Sequence, residues 1–346
     1  MQKKDIGLAV LVLAVAAVVA AINPRFLSPI NLANTANLIG LFGLFSIAEA
    51  FVIVTAGIEL SVGSVIALLG VLFVDMVVVQ GVPWPIALVI VLCLAAVIGV
   101  LHGLLITRLR LQPFVVTLCG LLIYRGIARF YTADGTAGFS FGANYPSLEW
   151  VFSGRTSGVP HSIVAFGLVA VVSWFVLHRS VFGRHLLAVG KNEEAARFSG
   201  INTTRVIITA YVICAMLTGL SAVFFAMYTR SIHPASHGSF YELYAIAAAV
   251  LGGFSLRGGE GSIVGVVLGV VLLQVLQNLV NLLGIPSSLN FAVMGGVILL
   301  GAIADTQFAR YRAARQQAAA FAALEGKAVP EATPAEPSPG RVPGAH

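Results

Sequence analysis

Charge is what this sequence lacks. Asp, Glu, Lys and Arg make up only 10% of its 346 residues, against 58% hydrophobic, whereas a soluble domain carries about 25% charged residues. A mean hydropathy of +0.96 excludes a soluble globular protein, because no water-facing surface can be made from so few polar groups. The solvent of most of this chain is a bilayer. Cysteine is also scarce. Cys93, Cys119 and Cys214 all fall inside apolar runs without metal-ligand spacing, which excludes a disulfide framework and a thiolate metal site. They read as small packing residues. The phosphate-binding pattern Gly-x4-Gly-Lys-Ser/Thr is missing, so the chain binds no nucleotide in that way. No nucleophile stands near a base as an enzyme would require. The net charge of +6 does not point to nucleic acid, since the basic residues lie between the apolar runs as membrane topology demands.

Ten apolar runs near 20 residues predict about ten transmembrane helices: 6–22, 36–56, 62–80, 86–106, 113–131, 161–178, 206–228, 241–255, 262–283 and 289–305. The first, behind Lys3 and Lys4, shares its pattern with a cleaved signal peptide, but it reads as a span because no clear small-residue cleavage site follows. With Lys3 and Lys4 inside, alternation places Arg108, Arg110, the 179–205 loop, Arg257 and Arg310 to Arg315 inside too. Only Arg25, Arg155 and Arg230 fall outside. The expectation is an all-α polytopic membrane protein, 1–310, with both termini cytoplasmic in a cell inner membrane. The Ala-, Pro- and Glu-rich tail 311–346 is expected to be a largely disordered cytoplasmic segment. Residues 132–160, with Tyr145 and Trp150, form the largest outside loop.

The stretch 179–205 is the densest internal cluster of charge. Asn192 is placed to cap a short helix, Glu193 and Glu194 suit its positive end, and Gly200 ends it. Ala195 and Ala196 offer a smooth surface for close approach by a partner. A faint repeat links 55–72 to 251–272, each with a Gly-Ser pair (Gly63-Ser64, Gly261-Ser262) where a span begins. Transporters are often duplicated in this way.

These segments carry a resemblance. GRHLLAVGKNEEAARFSGIN, Gly183 to Asn202, resembles the docking loop of ABC-importer permeases. AGIELSVGSVIAL, 56–68, resembles the Gly-Ile-Asp-Leu-Ser-Val-Gly-Ser signature of ribose/xylose/arabinose-type sugar permeases, with Glu59 in place of Asp. FVVTLCGLLIYRGIARFYT at 114–132, LGGFSLRGGEGSIVGVVLG at 251–269 and QNLVNLLGI at 277–285 resemble further blocks of that family. The resemblance implies a type II-like ABC permease for a monosaccharide. It implies a second permease copy or paralogue and a periplasmic or extracellular sugar-binding protein. It also implies separate ATPase subunits that bind ATP and Mg, leaving no cofactor in this chain. Asn192, Glu193, Glu194, Ala195, Ala196 and Gly200 would then dock the ATPase.

Polar residues inside spans are costly and usually purposeful. Glu49, Glu59 and Ser61 are expected to form a polar cluster near the pathway or gate, the alternative being carboxylates at headgroup level. Arg125 lines an outer vestibule, pairs with Glu49 or Asp75, or snorkels to the interface. Gln274, Gln277, Asn278 and Asn281 share one helical face. Their uncharged amides suit either a neutral polyol path or interhelical bonding. Two rival classes are the same architecture serving a nucleoside, furanone or branched-chain amino acid, and an ion-driven transporter without a docking loop.

Overall fold

The computed structural model describes residues 3–286, apart from positions 140, 141 and 143, and a few single positions between 289 and 299. The chain divides into the units 1–298 and 299–346. The expected span 289–305 and the tail 311–346 lie outside the described residues.

Nine of the ten expected spans are helices: α1 (Lys3–Ile22), α2 (Pro29–Ile53), α3 (Val62–Val78), α4 (Trp84–Thr107), α5 (Pro113–Tyr131), α7 (His161–Arg179), α10 (Thr203–Thr229), α11 (Tyr241–Leu251) and α12 (Ile263–Leu282). Seven of these are long and apolar enough to cross a membrane; α3 and α11 are shorter. Eleven residues rise only about 17 Å, too little for a hydrocarbon core of about 30 Å. So α11 is about half a span in length. α2 begins seven residues earlier than its apolar run. Ser28 caps it by accepting from the Asn31 N–H, and Pro29 takes the first helical position, where its missing N–H costs nothing.

α2 is the axis of the bundle: every residue from Gly43 to Ile53 is buried. It packs on α7, α10, α11 and α12, while α10 lies along α4 and α3. Small residues set the α4–α10 spacing. A Cβ on Gly99 would lie 2.6 Å from the Tyr211 carbonyl oxygen, and one on Gly103 would lie 2.7 Å from the Ile208 Cα. In lipid, where burial of apolar surface gives no net gain between helices, such close approach supplies the attraction. Of the cysteines, only Cys214 is buried; Cys93 and Cys119 are exposed, which limits the packing reading to one of the three.

The remaining elements cap the two ends. The expected loop 132–160 contains α6 (Pro146–Ser153) and a two-residue hairpin of β2 (Arg155–Thr156) on β3 (Val159–Pro160), while β1 (Ala137–Gly138) pairs with β4 (Ser231–Ile232). Trp84 anchors α6: its indole N–H donates to Ser147 Oγ at 3.0 Å and its ring meets Phe152 edge-on. The opposite end carries α8 (Val181–Lys191) and α9 (Glu193–Phe198).

Gly103→Leu should separate α4 from α10. Overpacking a close contact costs about 1–3 kcal/mol, so the purified protein should melt several degrees lower in detergent, whereas Gly7→Leu, with open space around it, should leave the melting temperature unchanged.

Candidate functional site

Two features join at the α8–α9 end: a short docking-type helix and a helix break in the interior beside it. The helix is built as its sequence requires. Asn192 Oδ1 accepts from the Ala195 N–H at 2.9 Å. At the far end Gly200 has φ +84, and the Ile201 N–H returns to the Ala196 carbonyl while the Gly200 N–H returns to that of Arg197. This is a complete C-terminal cap. Glu193 accepts from Arg197 at 3.2 Å and from Thr203 Oγ1 at 3.1 Å, so the first turn is tied to the start of α10.

One residue departs from expectation. Ala196 is 5% exposed, packed against the body of the protein, and is not presented to a partner. Glu194 and Ala195 are exposed, and beside them Phe198 is 91% exposed. Sequence reasoning passed over Phe198. The signal was a large aromatic at the end of a charged six-residue helix, where it has nothing in its own element to pack on. Alongside α9 lies a cleft of about 1020 Å³, lined among others by Arg108, Arg110, Arg197, Glu193 and Glu194, and reaching inward to Gly57 and Tyr211.

Inward of that cleft, α2 ends at Ile53 and α3 starts only at Val62. The eight residues between them bury backbone groups, each costing several kcal/mol if unpaired. Main-chain turns back to α2 satisfy the N–H groups of Val54 to Gly57, and side chains serve the rest of the crossing. The Glu59 N–H donates to Glu49 Oε1 at 3.1 Å, and the Ser61 N–H and Oγ donate to Glu59 Oε1 at 2.8 and 2.6 Å. The Ile58 carbonyl accepts from Thr117 Oγ1 at 3.1 Å. The other Glu59 oxygen meets His102 Nδ1 at 2.7 Å, and His102 Nε2 meets the Tyr124 hydroxyl at 2.9 Å. Glu49, Glu59, Ser61, His102 and Tyr124 are all under 9% exposed. The expected polar cluster therefore exists, enclosed within the protein. With Nδ1 facing a carboxylate, the arrangement fits a histidine that donates there. His102 and Tyr124 went unnoticed in the sequence because each is a lone polar residue in an apolar run, and only the packing of α4 and α5 on the break brings them to Glu59.

The other candidates separate. Arg125 pairs with neither Glu49 nor Asp75: its Nη1 donates to the carbonyls of Pro234 and His237 at 2.8 and 2.6 Å, stapling the loop before α11. Asp75 instead accepts from Gln80 and Tyr131, each at 2.6 Å. The amide face is not a single lining. Gln274 is buried and Asn281 is exposed. Asn278 donates to Asn31 Oδ1 at 2.8 Å and Thr35 Oγ1 at 3.0 Å, and Asn31 returns a bond at 3.1 Å. Asn278 thus bonds α12 to α2. At the end bearing α6, Arg230 bonds Glu149 Oε1 and holds that carboxyl below the usual carboxylate range.

Comparison with known proteins follows this geometry. A family model described as branched-chain amino acid transport system / permease component matches residues 31–302. The chain belongs to this family. It is 37% identical over 306 residues to the ribose import permease protein RbsC of Escherichia coli K12, covering 88% of this chain and 94% of that one. It is 38% identical to the ribose import permease protein RbsC of Bacillus subtilis 168 over 300 residues, 87% of this chain and 91% of the relative. To the fructose import permease protein FrcC of Rhizobium meliloti it is 30% identical over 315 residues, 89% and 86% of the two chains. No solved structure matches. As a member of this family the chain is a multi-pass transport permease of the membrane.

His102→Leu should leave the Glu59 carboxylate buried with one partner lost, a change that costs about 3–5 kcal/mol when a buried pair is broken. His102→Asn, which keeps an N–H donor on that side, should recover part of the lost melting temperature. Equal stability of the Leu and Asn variants would contradict the bonding described.

Proposed function

We propose that this chain is the permease subunit of an ATP-driven importer of monosaccharides. It works as a pair of permeases, with separate ATPase subunits that hold ATP and Mg and a sugar-binding protein on the far side of the membrane. The observation that carries this reading is the α8–α9 unit. A capped helix, clamped to the protein on its Ala196 side, leaves Phe198 almost fully exposed on the other. An apolar side chain so fixed and so exposed is a ready anchor for a partner's pocket. The matched relatives named for ribose, fructose and allose import support the solute class.

The basic residues give the sidedness. Arg108, Arg110 and Arg197 border the cleft beside α9, and Arg179, Arg184, Lys191 and Arg205 lie in the same loop region. Such clustering is typical of the cytoplasmic side and supports α9 and the N-terminus lying there. α6 and the β2–β3 hairpin then face the binding protein. The buried Glu59–His102–Tyr124 string is closed on itself by hydrogen bonds, so its role is to hold the helices around the route rather than to hold cargo. The family description names branched-chain amino acids, which makes them the second reading. Uptake of labelled ribose, allose, fructose and leucine by vesicles containing the full transporter separates the two.

Because Ala196 is buried, bulk at that position would test the protein's own packing. The docking test belongs at Phe198. Removing a side chain that a partner buries costs about 1.5–3 kcal/mol, or about 10- to 100-fold in affinity. Phe198→Ala should weaken ATPase binding by that factor and depress sugar uptake, with the permease's melting temperature unchanged. ATPase binding and uptake at normal levels in this variant would remove the docking role.

A further inference from the structure

Three glycines join the docking unit to the α2–α3 and α11–α12 connections. Gly190, in the last turn of α8, lies so close to the end of α2 that a Cβ on it would stand 1.8 Å from the Val54 carbonyl oxygen and 2.5 Å from the Gly259 nitrogen. No side chain fits there; backbone rests on backbone. The same Val54 carbonyl accepts the Gly259 N–H at 2.8 Å. Gly258 and Gly259 have φ of +79 and +74, a region that L side chains enter only at a cost. A Cβ on Gly258 would meet the Ala56 nitrogen and the Gly190 oxygen, both at 2.7 Å, and one on Gly259 would meet the Lys191 nitrogen at 2.8 Å. Three segments distant in sequence thus meet at main-chain distance: the end of α2, the end of α8, and the α11–α12 connection.

Each of these segments leads somewhere useful. Lys191 is followed directly by Asn192, the cap of α9, whose own N–H returns to the Ala188 carbonyl of α8. Val54 opens the break that runs to Glu59. Gly258 and Gly259 lie in the second break, between α11 and α12. The two breaks are the members of the faint sequence repeat, and in each a serine precedes the next helix. Ser262 caps α12 through the Gly265 N–H at 3.3 Å, while Ser61 stands before α3 and spends its hydroxyl on Glu59. The docking helix is therefore one residue away from a contact that grips both breaks at once.

We propose that Gly190, Gly258 and Gly259 are positioning residues that clasp the two helix breaks to the docking unit, so that α9 and both breaks move as one body during the transport cycle. The inference rests on the importer reading and adds the route by which movement at the ATPase reaches the interior. Backbone contact suits such a route. A side-chain contact can yield by changing rotamer, whereas main chain packed at this distance transmits displacement almost without slack.

The test uses the assembled transporter in lipid. Cysteines replace Glu194 on α9 and the exposed Leu256 in the α11–α12 connection, in a chain whose own three cysteines are changed to serine. Spin labels on them report the shorter, within-protomer distance by pulsed EPR. That distance should stay constant to within about 1–2 Å, the scale of small helix shifts, between the nucleotide-free and ATP-trapped states. In parallel, Gly190→Ala should still bind the ATPase and permit ATP hydrolysis, while sugar imported per ATP falls on the order of tenfold. Gly7→Ala is the control and should show no change. Should Gly190→Ala fail to assemble, the label distance in the unmodified clasp decides alone. Separation of the labels on ATP binding, or an unchanged sugar-to-ATP ratio in a well-assembled Gly190→Ala transporter, overturns the clasp. Failure of the unmodified chain to bind any ATPase overturns the importer reading, and with it the clasp as a transmitter.

Discussion

The architecture depends on one carboxylate. Where α2 stops short of α3, main-chain turns carry the chain only as far as Gly57, and Glu59 fills the rest of the gap. One of its oxygens serves the Ser61 N–H and hydroxyl, the other meets His102, and its own N–H rests on Glu49. A membrane tolerates irregular backbone only where protein or water satisfies it, so the break exists because this residue and its partners exist. Through His102 the same carboxylate reaches Tyr124, and one side chain thereby ties α2, α3, α4 and α5 together. A buried polar cluster costs solvation and stabilises little in net terms. What it contributes is a defined geometry at a place where the helix ladder has none.

The two ends of the bundle use different chemistry around this centre. The α6 end is stitched by side chains, Arg125 on the Pro234 and His237 carbonyls, Arg230 on the Glu149 carboxylate and Trp84 on the Ser147 hydroxyl, together with the pairing of β1 with β4. The α9 end is joined by backbone contact at glycine, and α9 is capped at both termini.

Much of this was legible in the sequence, and the physical reasons are plain. Hydrocarbon thickness sets span length, so apolar runs locate α1, α4, α5, α7, α10 and α12 to within a few residues. The cap of α9 was readable because Asn192 and Gly200 do local work that depends on no other part of the chain. What could not be read was everything decided by packing. Ala196 has the same side chain as Ala195, and only the docking of α9 on the protein turns one inward and leaves the other out. His102 and Tyr124 are 43 and 65 positions from Glu59 in sequence and carry no pattern that announces them. The amides of α12 share a helical face, but a face does not say what it meets. Asn278 meets Asn31 and Thr35 because α2 starts at Ser28, earlier than its hydrophobicity suggests.

The stretch around Glu59 resembles a signature with Asp at that position, and the site gives the difference a physical meaning. A carboxylate that accepts from the N–H two residues on is a local arrangement that the shorter side chain makes readily. The second oxygen is the difference. It lies 2.7 Å from His102 on a neighbouring helix, and withdrawing it by one carbon–carbon bond, about 1.5 Å, would take it beyond hydrogen-bonding distance unless α4 moved closer. α4 has little room to move, since Gly99 and Gly103 already rest on the α10 backbone. The extra methylene and the position of α4 therefore belong together. At this break an exchange of Asp for Glu conserves the charge but alters how far it can reach, and reach is what holds the fourth and fifth helices to the break.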